Sequence, residues 1–396
     1  MREVCLGGMR RSTIPAPRPP AATMPIDASA LPGLTHTVLW ATFALAFVFG
    51  LVANKTHFCT MGSVADIVNF GDWTRMRQWL MAIGVAIVAT GVLAASGTID
   101  PANSIYTGNR LLLLGYVVGG LLFGFGMVLG GGCGSKTLIR VGTGNLKALI
   151  VFVVLGVTAF ITLRGALGVL RVNAIEPVSV TLATSQDLPS LLAAASGIAR
   201  GTLQWLLPLL VGGALLTFAL ARRDFWTLDN LLAGLVIGGV IASVWFVSGH
   251  LGHLTEHPET LEETFLATNT GRMESLSFVA PIAYVLDWLM FFSDKSKVLT
   301  LGTVAVFGVI AGSAAWALIS REFRWEGFRD TEDTANHIVG GMLMGFGGVV
   351  AMGCTVGQGL SGVSMLAMGS FIALASIIGG AVLGLKYQGW RLERMA

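Results

Sequence analysis

The sequence predicts an all-α polytopic membrane protein: about nine transmembrane helices with short re-entrant or interfacial helices, arranged as two inverted repeats. Three observations carry this prediction. First, 54% of the 396 residues are apolar, the mean hydropathy is +0.74, and only 12% are charged. That is about half the charged share of soluble domains. Second, runs long enough to cross a bilayer recur along the chain. Third, the stretch GGLLFGFGMVLGGGCG (Gly119–Gly134) returns 221 residues later as GGMLMGFGGVVAMGCT (Gly340–Thr355), with nine of sixteen positions identical. A duplicated and interrupted hydrophobic segment is a signature of a membrane transport site.

Residues 1–35, rich in Pro, Ala and Arg, read as a disordered tail with no secretory apolar region, and Met24 is an alternative start. The first repeat is expected over 36–171, an external loop and connecting span over 172–230, and the second, inverted repeat over 231–390. Spans fall at about 36–53, 78–97, 111–132, 146–169, 202–221, 231–249, 298–319, 338–353 and 363–386. The run 276–293 contains Pro281 and Asp287 and is expected at an interface. At roughly 1.5 Å per residue the 338–353 run reaches only about 24 Å, which would leave its terminal thiol within the membrane.

The repeat tests the count. Aligned outward from the two Gly-Cys turns, 146–169 pairs with 363–386, 78–97 with 298–319, and 36–53 with 231–249. The span 202–221 is left as a connector. Four spans, one connector and four spans invert the second half relative to the first.

Charge agrees with this path. With 54–77 placed in the cytoplasm, Lys55, Arg75, Arg77, Lys136, Arg140, Lys147, Arg222, Arg223, Arg321, Arg324, Arg329, Lys386, Arg391 and Arg394 are cytoplasmic. Arg110, Arg164, Arg171, Arg200, Arg272, Lys295 and Lys297 are external, and fourteen against seven is a positive-inside bias. The expected protein is therefore a multi-pass membrane protein, N-terminus outside and C-terminus cytoplasmic. Its net charge of +3 is too small and dispersed for nucleic acid binding.

Four cysteines form no disulfide framework. Cys59, Cys133 and Cys354 lie in HFCTMG (57–62), GGGCGSK (130–136) and MGCTVGQGLSG (352–362). Glycine breaks the helices there and lets backbone N–H groups face a cavity, which attracts anions at the start of a following helix. The thiols add a soft, polarisable sulfur. Gly132, Gly134, Ser135, Lys136, Gly353, Thr355, Gly357 and Gln358 are accordingly the expected substrate-binding residues, around Cys59, Cys133 and Cys354. The set suits a small anion carrying a soft atom better than a hard oxyanion, for which serine would serve. No cofactor, resident metal or enzymatic activity is expected.

His250, His253 and His257 read as a solvated loop face, and the fifteen methionines as packing, because no Cu(I)-type ligand spacing accompanies them. Two rival functions remain: a membrane thiol that carries persulfide for sulfur transfer, and a soft-metal or selenium-compound transporter.

The motifs resemble the YeeE/YedE membrane proteins that take up sulfur compounds. The resemblance rests on Phe58-Cys59, the GGGCG turn, MGCTVGQGLSG, and the stretch TGRMESLSFVAPIAYVLDWLM at 270–290, and it extends over about 36–390. It implies an hourglass-shaped inner-membrane thiosulfate transporter with inverted halves. Its three central cysteines, here Cys59, Cys133 and Cys354, would pass the anion through S–H···S contacts. A cytoplasmic sulfur-carrier or sulfurtransferase protein would be the natural recipient. The loops 172–201 and 250–274 are longer than in a compact member.

Overall fold

Helices form wherever the apolar runs occur, and they break at the glycine-rich turns. The computed structural model describes residues 30–258, 260–328 and 330–395. Most of the expected tail, including the alternative start at Met24, lies outside the described residues. Fourteen α-helices follow one another: α1 Leu31–Lys55, α2 Thr60–Phe70, α3 Thr74–Ala95, α4 Gly120–Leu129, α5 Gly134–Gly142, α6 Leu146–Arg164, α7 Ala166–Leu170, α8 Leu188–Ser196, α9 Arg200–Leu220, α10 Leu228–Phe246, α11 Ala280–Met290, α12 Leu301–Ile319, α13 Thr331–Val350 and α14 Met368–Met395. Among the described residues, strand is confined to two short antiparallel pairs, β1 Arg110–Leu111 with β2 Val180–Thr181 and β3 His253–Leu254 with β4 Thr264–Phe265. The all-α, multi-pass reading is correct.

Among the described residues, eight helical segments are long and apolar enough to cross a membrane. The helix α13 is not one of them, because its first turns carry Glu332, Asp333, Asn336 and His337. It is nevertheless longer than the apolar run suggests: 20 residues rise about 30 Å rather than about 24 Å. Its polar start is held by partners from other helices. Lys147 pairs with Asp333 (2.8 Å) and Arg391 with Glu332 (3.0 Å).

Glycine permits the closest helix contacts. The helices α4 and α13 cross so tightly that a Cβ on Gly126 would lie 2.8 Å from the Gly340 carbonyl oxygen, and one on Gly119 2.7 Å from that of Gly347. The contacts are reciprocal under the repeat, since Gly119 aligns with Gly340 and Gly126 with Gly347. The same exchange recurs on the flanks: Gly120 faces Ala373 and Ser376 of α14, while Gly341 faces Val151 and Val154 of α6. Further out, α1 packs along α12 and α3 along α10.

The stretch expected at an interface behaves differently. The helix α11 has only 11 residues, about 16 Å, too short to cross. The segment before it is buried, with Met273, Leu276 and Phe278 at 0% exposure. It is irregular backbone inside the protein, tolerated because side chains satisfy its polar groups. The Glu274 amide donates to Ser248 Oγ (2.9 Å), and Ser361 Oγ donates to the Leu276 carbonyl (2.7 Å).

The long loops are also ordered. The 172–201 loop contains α8, capped by Asp187 accepting from the Ser190 amide (3.0 Å). In the 250–274 loop, His253 bonds Glu263 (2.7 Å) and stacks on Phe265.

Candidate functional site

The three thiols expected to act together all sit at helix starts, buried in the interior. Cys59 caps α2 in extended conformation, and its Sγ accepts from the Gly62 amide at 3.3 Å. The Phe58 ring stacks on Trp79 at 5.8 Å and anchors the turn. Arg75 lies over the same turn and pairs with Asp66 at 3.1 Å.

Cys133 caps α5, with its Sγ 3.3 Å from the Ser135 hydroxyl. The chain reaches it through Gly131 (φ 71°) and Gly132 (φ 157°), a path that L side chains rarely follow. Arg140 ties the turn by donating to the Gly131 carbonyl at 3.1 Å.

Cys354 follows α13 through Met352 (φ 58°) and Gly353 (φ 158°), nearly the same backbone path. Its thiol is completely buried and accepts from the Gly357 amide at 3.4 Å, with the amides of Val356 and Phe278 also directed at it.

Phe278 stands between two of these turns. Its amide addresses Cys354, and its carbonyl lies 3.1 Å from where a Cβ on Gly134 would be. Any side chain at Gly134 would push this divider aside. Cys133 is within electrostatic range of both Cys59 and Cys354, and Lys136 and Arg75 act on Cys59. Cys133 therefore neighbours each of the other two thiols.

A cavity lies beside each of the two Gly-Cys turns. One of about 300 Å³ is lined by Met352 and Gly353 of the Cys354 turn, with Tyr106, Arg171, Glu274 and Tyr284. The other, about 550 Å³, is lined by Lys136, Arg140, Arg321 and Arg324. The first leads to the Cys354 turn. The second lies beside the helix that Cys133 caps.

The other expected residues differ in what they contact. Gly132, Gly134, Ser135, Gly353 and Gly357 shape the turns or touch the thiols. Lys136 lines the basic cavity. The Thr355 hydroxyl is buried with no partner, so it has hydrogen-bonding capacity to offer. Gln358 is already engaged: its amide donates to the Ala351 carbonyl (2.5 Å) and accepts from Ser370 (2.6 Å), so it braces the turn.

Sequence reasoning did not select Tyr106, Ser277 and Phe278, which pack against the Cys354 turn, or Arg171, Glu274 and Tyr284 of the cavity wall. The available signal was the run of polar residues (Glu274, Ser275 and Ser277) inside an otherwise apolar stretch.

The pattern of the family described as "Sulphur transport" matches residues 55–383. The thiosulfate transporter TsuA of Spirochaeta thermophila is 24% identical over 368 residues, covering 90% of this chain and all of that protein. TsuA of Escherichia coli is 27% identical over 348 residues, covering 84% of this chain and 90% of that one. A match over most of the length, on a multi-pass helical scaffold with the expected Gly-Cys turns, identifies the chain as a member of the sulphur-transport, or YeeE/YedE, family of membrane transporters.

Proposed function

We propose that the protein imports thiosulfate through a relay of Cys354, Cys133 and Cys59. The observation that carries this reading is three buried thiols, each at the start of a helical segment, with Cys133 neighbouring both others and a cavity beside the turns of Cys133 and Cys354. Thiosulfate combines a terminal sulfur with negative charge, and each station offers both complements. Backbone N–H groups and the partial positive charge of a helix start face the anion, while a thiol S–H can donate to a soft sulfur. The anion would move from thiol to thiol by exchanging hydrogen bonds, with no bond to sulfur formed or broken. The names of the two TsuA relatives support thiosulfate as the cargo.

On this reading the cavity beside Cys354 is external and the basic cavity beside Lys136 is cytoplasmic. The N-terminus lies outside and the C-terminus in the cytoplasm of a cell inner membrane. The excess of cationic residues on the Lys136 side supports that direction. Nine passes and two inverted halves follow if α13 crosses with the eight apolar segments, and the reciprocal α4–α13 contacts support that arrangement. A cytoplasmic sulfur-carrier protein would take the anion from the basic cavity.

The deciding experiment is uptake of labelled thiosulfate by a sulfur-starved host without its own importers, with sulfate and selenium compounds as competitors. Uptake that needs all three thiols is expected. Retention of full uptake by the triple Cys→Ala variant would end the relay reading. A turnover-dependent covalent adduct on Cys133 or Cys354, seen by mass spectrometry, would favour persulfide transfer instead.

A further inference from the structure

Among the residues named on the wall of the Cys354 cavity, the acidic one is Glu274. It is 8% exposed and belongs to the irregular segment before α11 rather than to a spanning helix. Its Oε1 accepts from the Thr270 amide at 3.0 Å and the Thr270 hydroxyl at 2.6 Å. The cation of the same cavity, Arg171, pairs with Glu176 at 2.9 Å, and its buried Nε–H has no partner.

The surroundings contain few other charges. Tyr106 comes from the segment before α4, Tyr284 and Asp287 from α11, Arg164 from the end of α6, and Cys354 from the turn after α13. Asp287 is neutralised by Lys297 at 2.6 Å. The neighbouring parts of α12 and α13 contribute Gly302, Gly348 and Val349, all uncharged.

A carboxylate is an unexpected group on the approach to an anion site. Ionised, it would repel the incoming charge strongly in a poorly solvated cavity. Protonated, the same group becomes an O–H donor. Resting on the thiosulfate-import reading, we infer that Glu274 is a proton-operated admission residue: the anion enters the cavity when Glu274 is protonated and donates a hydrogen bond to it, with the Arg171 Nε–H as the second donor. The proton goes onto Glu274 from external water, stays while the anion is bound, and returns to that water when the anion moves on to the thiols. No oxidation or group transfer is involved.

Burial acts in the same direction, pushing the Glu274 carboxyl above the usual carboxylate range. The admitting form is the protonated one, so uptake is greatest at acid external pH. It declines as pH rises through the Glu274 titration, approaching about tenfold per pH unit beyond it.

The test measures thiosulfate uptake from acid to alkaline external pH in wild type and Glu274→Gln. Glutamine is neutral, keeps an oxygen for Thr270, and supplies a permanent N–H donor. The variant should therefore import and lose the decline at alkaline pH, whatever its uptake at acid pH. A variant with the wild-type pH profile, or with no uptake at any pH while inserted in the membrane at wild-type level, overturns the proposal. A wild type that imports with a flat profile refutes only the role of Glu274, whereas one that imports none at any pH refutes thiosulfate import itself. If Glu274→Gln fails to fold, calorimetry of thiosulfate binding to purified wild type decides the matter. In two buffers of different ionisation enthalpy at alkaline pH, uptake of about one proton per anion bound is expected, and no proton uptake overturns the proposal.

Discussion

The two Gly-Cys turns share a backbone and differ in what surrounds the sulfur. Gly132 and Gly353 have φ values of 157° and 158°, and each turn sets a cysteine at the start of the next helical segment. Around Cys354 the donors are amides, from Gly357 and Val356 in the turn and from Phe278 across it. Around Cys133 the donor is the Ser135 hydroxyl, which can reverse its bond. Where the second turn has Gly357 and Ser361, the first has Lys136 and Arg140, two cations lining the basic cavity. On the relay reading, one turn would serve as a fixed anion nest within the protein. The other is an adjustable station beside positive charge. A symmetric scaffold with unequal stations gives a path a direction.

The largest expected effects come from removing the sulfurs. Each of Cys354→Ala, Cys133→Ala and Cys59→Ala should reduce thiosulfate uptake by at least about 10-fold to 100-fold, the equivalent of leaving a buried hydrogen-bonding partner unmatched. Serine should restore little, because its oxygen is harder and its reach shorter. The two turns separate in a second variant. Ser135→Ala should lower uptake several-fold with Cys133 intact, and rescue by Ser135→Thr would identify the hydroxyl as the agent. Equal tolerance of Cys→Ser at all three positions would mean that sulfur is not being read.

The second comparison is between the two sides of the α4–α13 crossing. A Cβ on Gly126 meets the Gly340 carbonyl at 2.8 Å, and one on Gly347 meets the Gly119 carbonyl at 2.6 Å. Gly126→Ala and Gly347→Ala should each destabilise by about 1–3 kcal/mol, as overpacking does. Thermal unfolding in detergent would check this. The comparison is sharpened if the two costs match, and broken if one glycine tolerates alanine while the other does not.

These contrasts also mark what the sequence could reveal. The Gly-Cys turns were legible because a repeat places the same residue types at the same offsets twice, and glycine around a buried thiol has few structural uses. The spans were legible from hydropathy, except at α13. There the polar first turns hid a full-length helix, because Lys147 and Arg391 lie far from it in sequence and satisfy it only in the fold. The segment carrying Glu274, Ser277 and Phe278 was the least legible part. Irregular buried backbone has no periodicity, and its polar groups are matched by Ser248 and Ser361 from distant elements. Asp187, Pro189 and Ser190 carry the capping chemistry of α8, a helix that the sequence reading left within an external loop.

A smaller effect is expected on the basic side. Lys136→Gln removes one cation from a cavity that keeps Arg140, Arg321 and Arg324. Uptake should fall only a few-fold, and raising cytoplasmic ionic strength should diminish the difference, since exposed charges are screened. Right-side-out vesicles loaded with salt would measure it. A loss as large as that of Cys133→Ala would instead place Lys136 in direct contact with the anion and make the first turn a binding nest like the second.

The smallest effect concerns the residue two places before each cysteine. Gly131 (φ 71°) and Met352 (φ 58°) both occupy the left-handed region, yet only the first is glycine. Methionine bears a backbone cost there of about 1–2 kcal/mol. It also packs: the Tyr116 hydroxyl lies 3.8 Å from its sulfur. Met352→Gly relieves the strain but loses that contact and gains unfolded-state entropy, about 0.4–1 kcal/mol in the opposite direction. The two contributions nearly cancel, so thermal stability should change little. Gly131→Ala has no compensation, because it adds the left-handed cost and drives a Cβ to 2.7 Å from the Arg140 guanidinium. It should destabilise by about 1–2 kcal/mol and release the Arg140 tie on the first turn. If both variants prove neutral, the backbone path is not what holds the thiols in place, and the side-chain ties of Arg140 and Gln358 must hold the two turns by themselves.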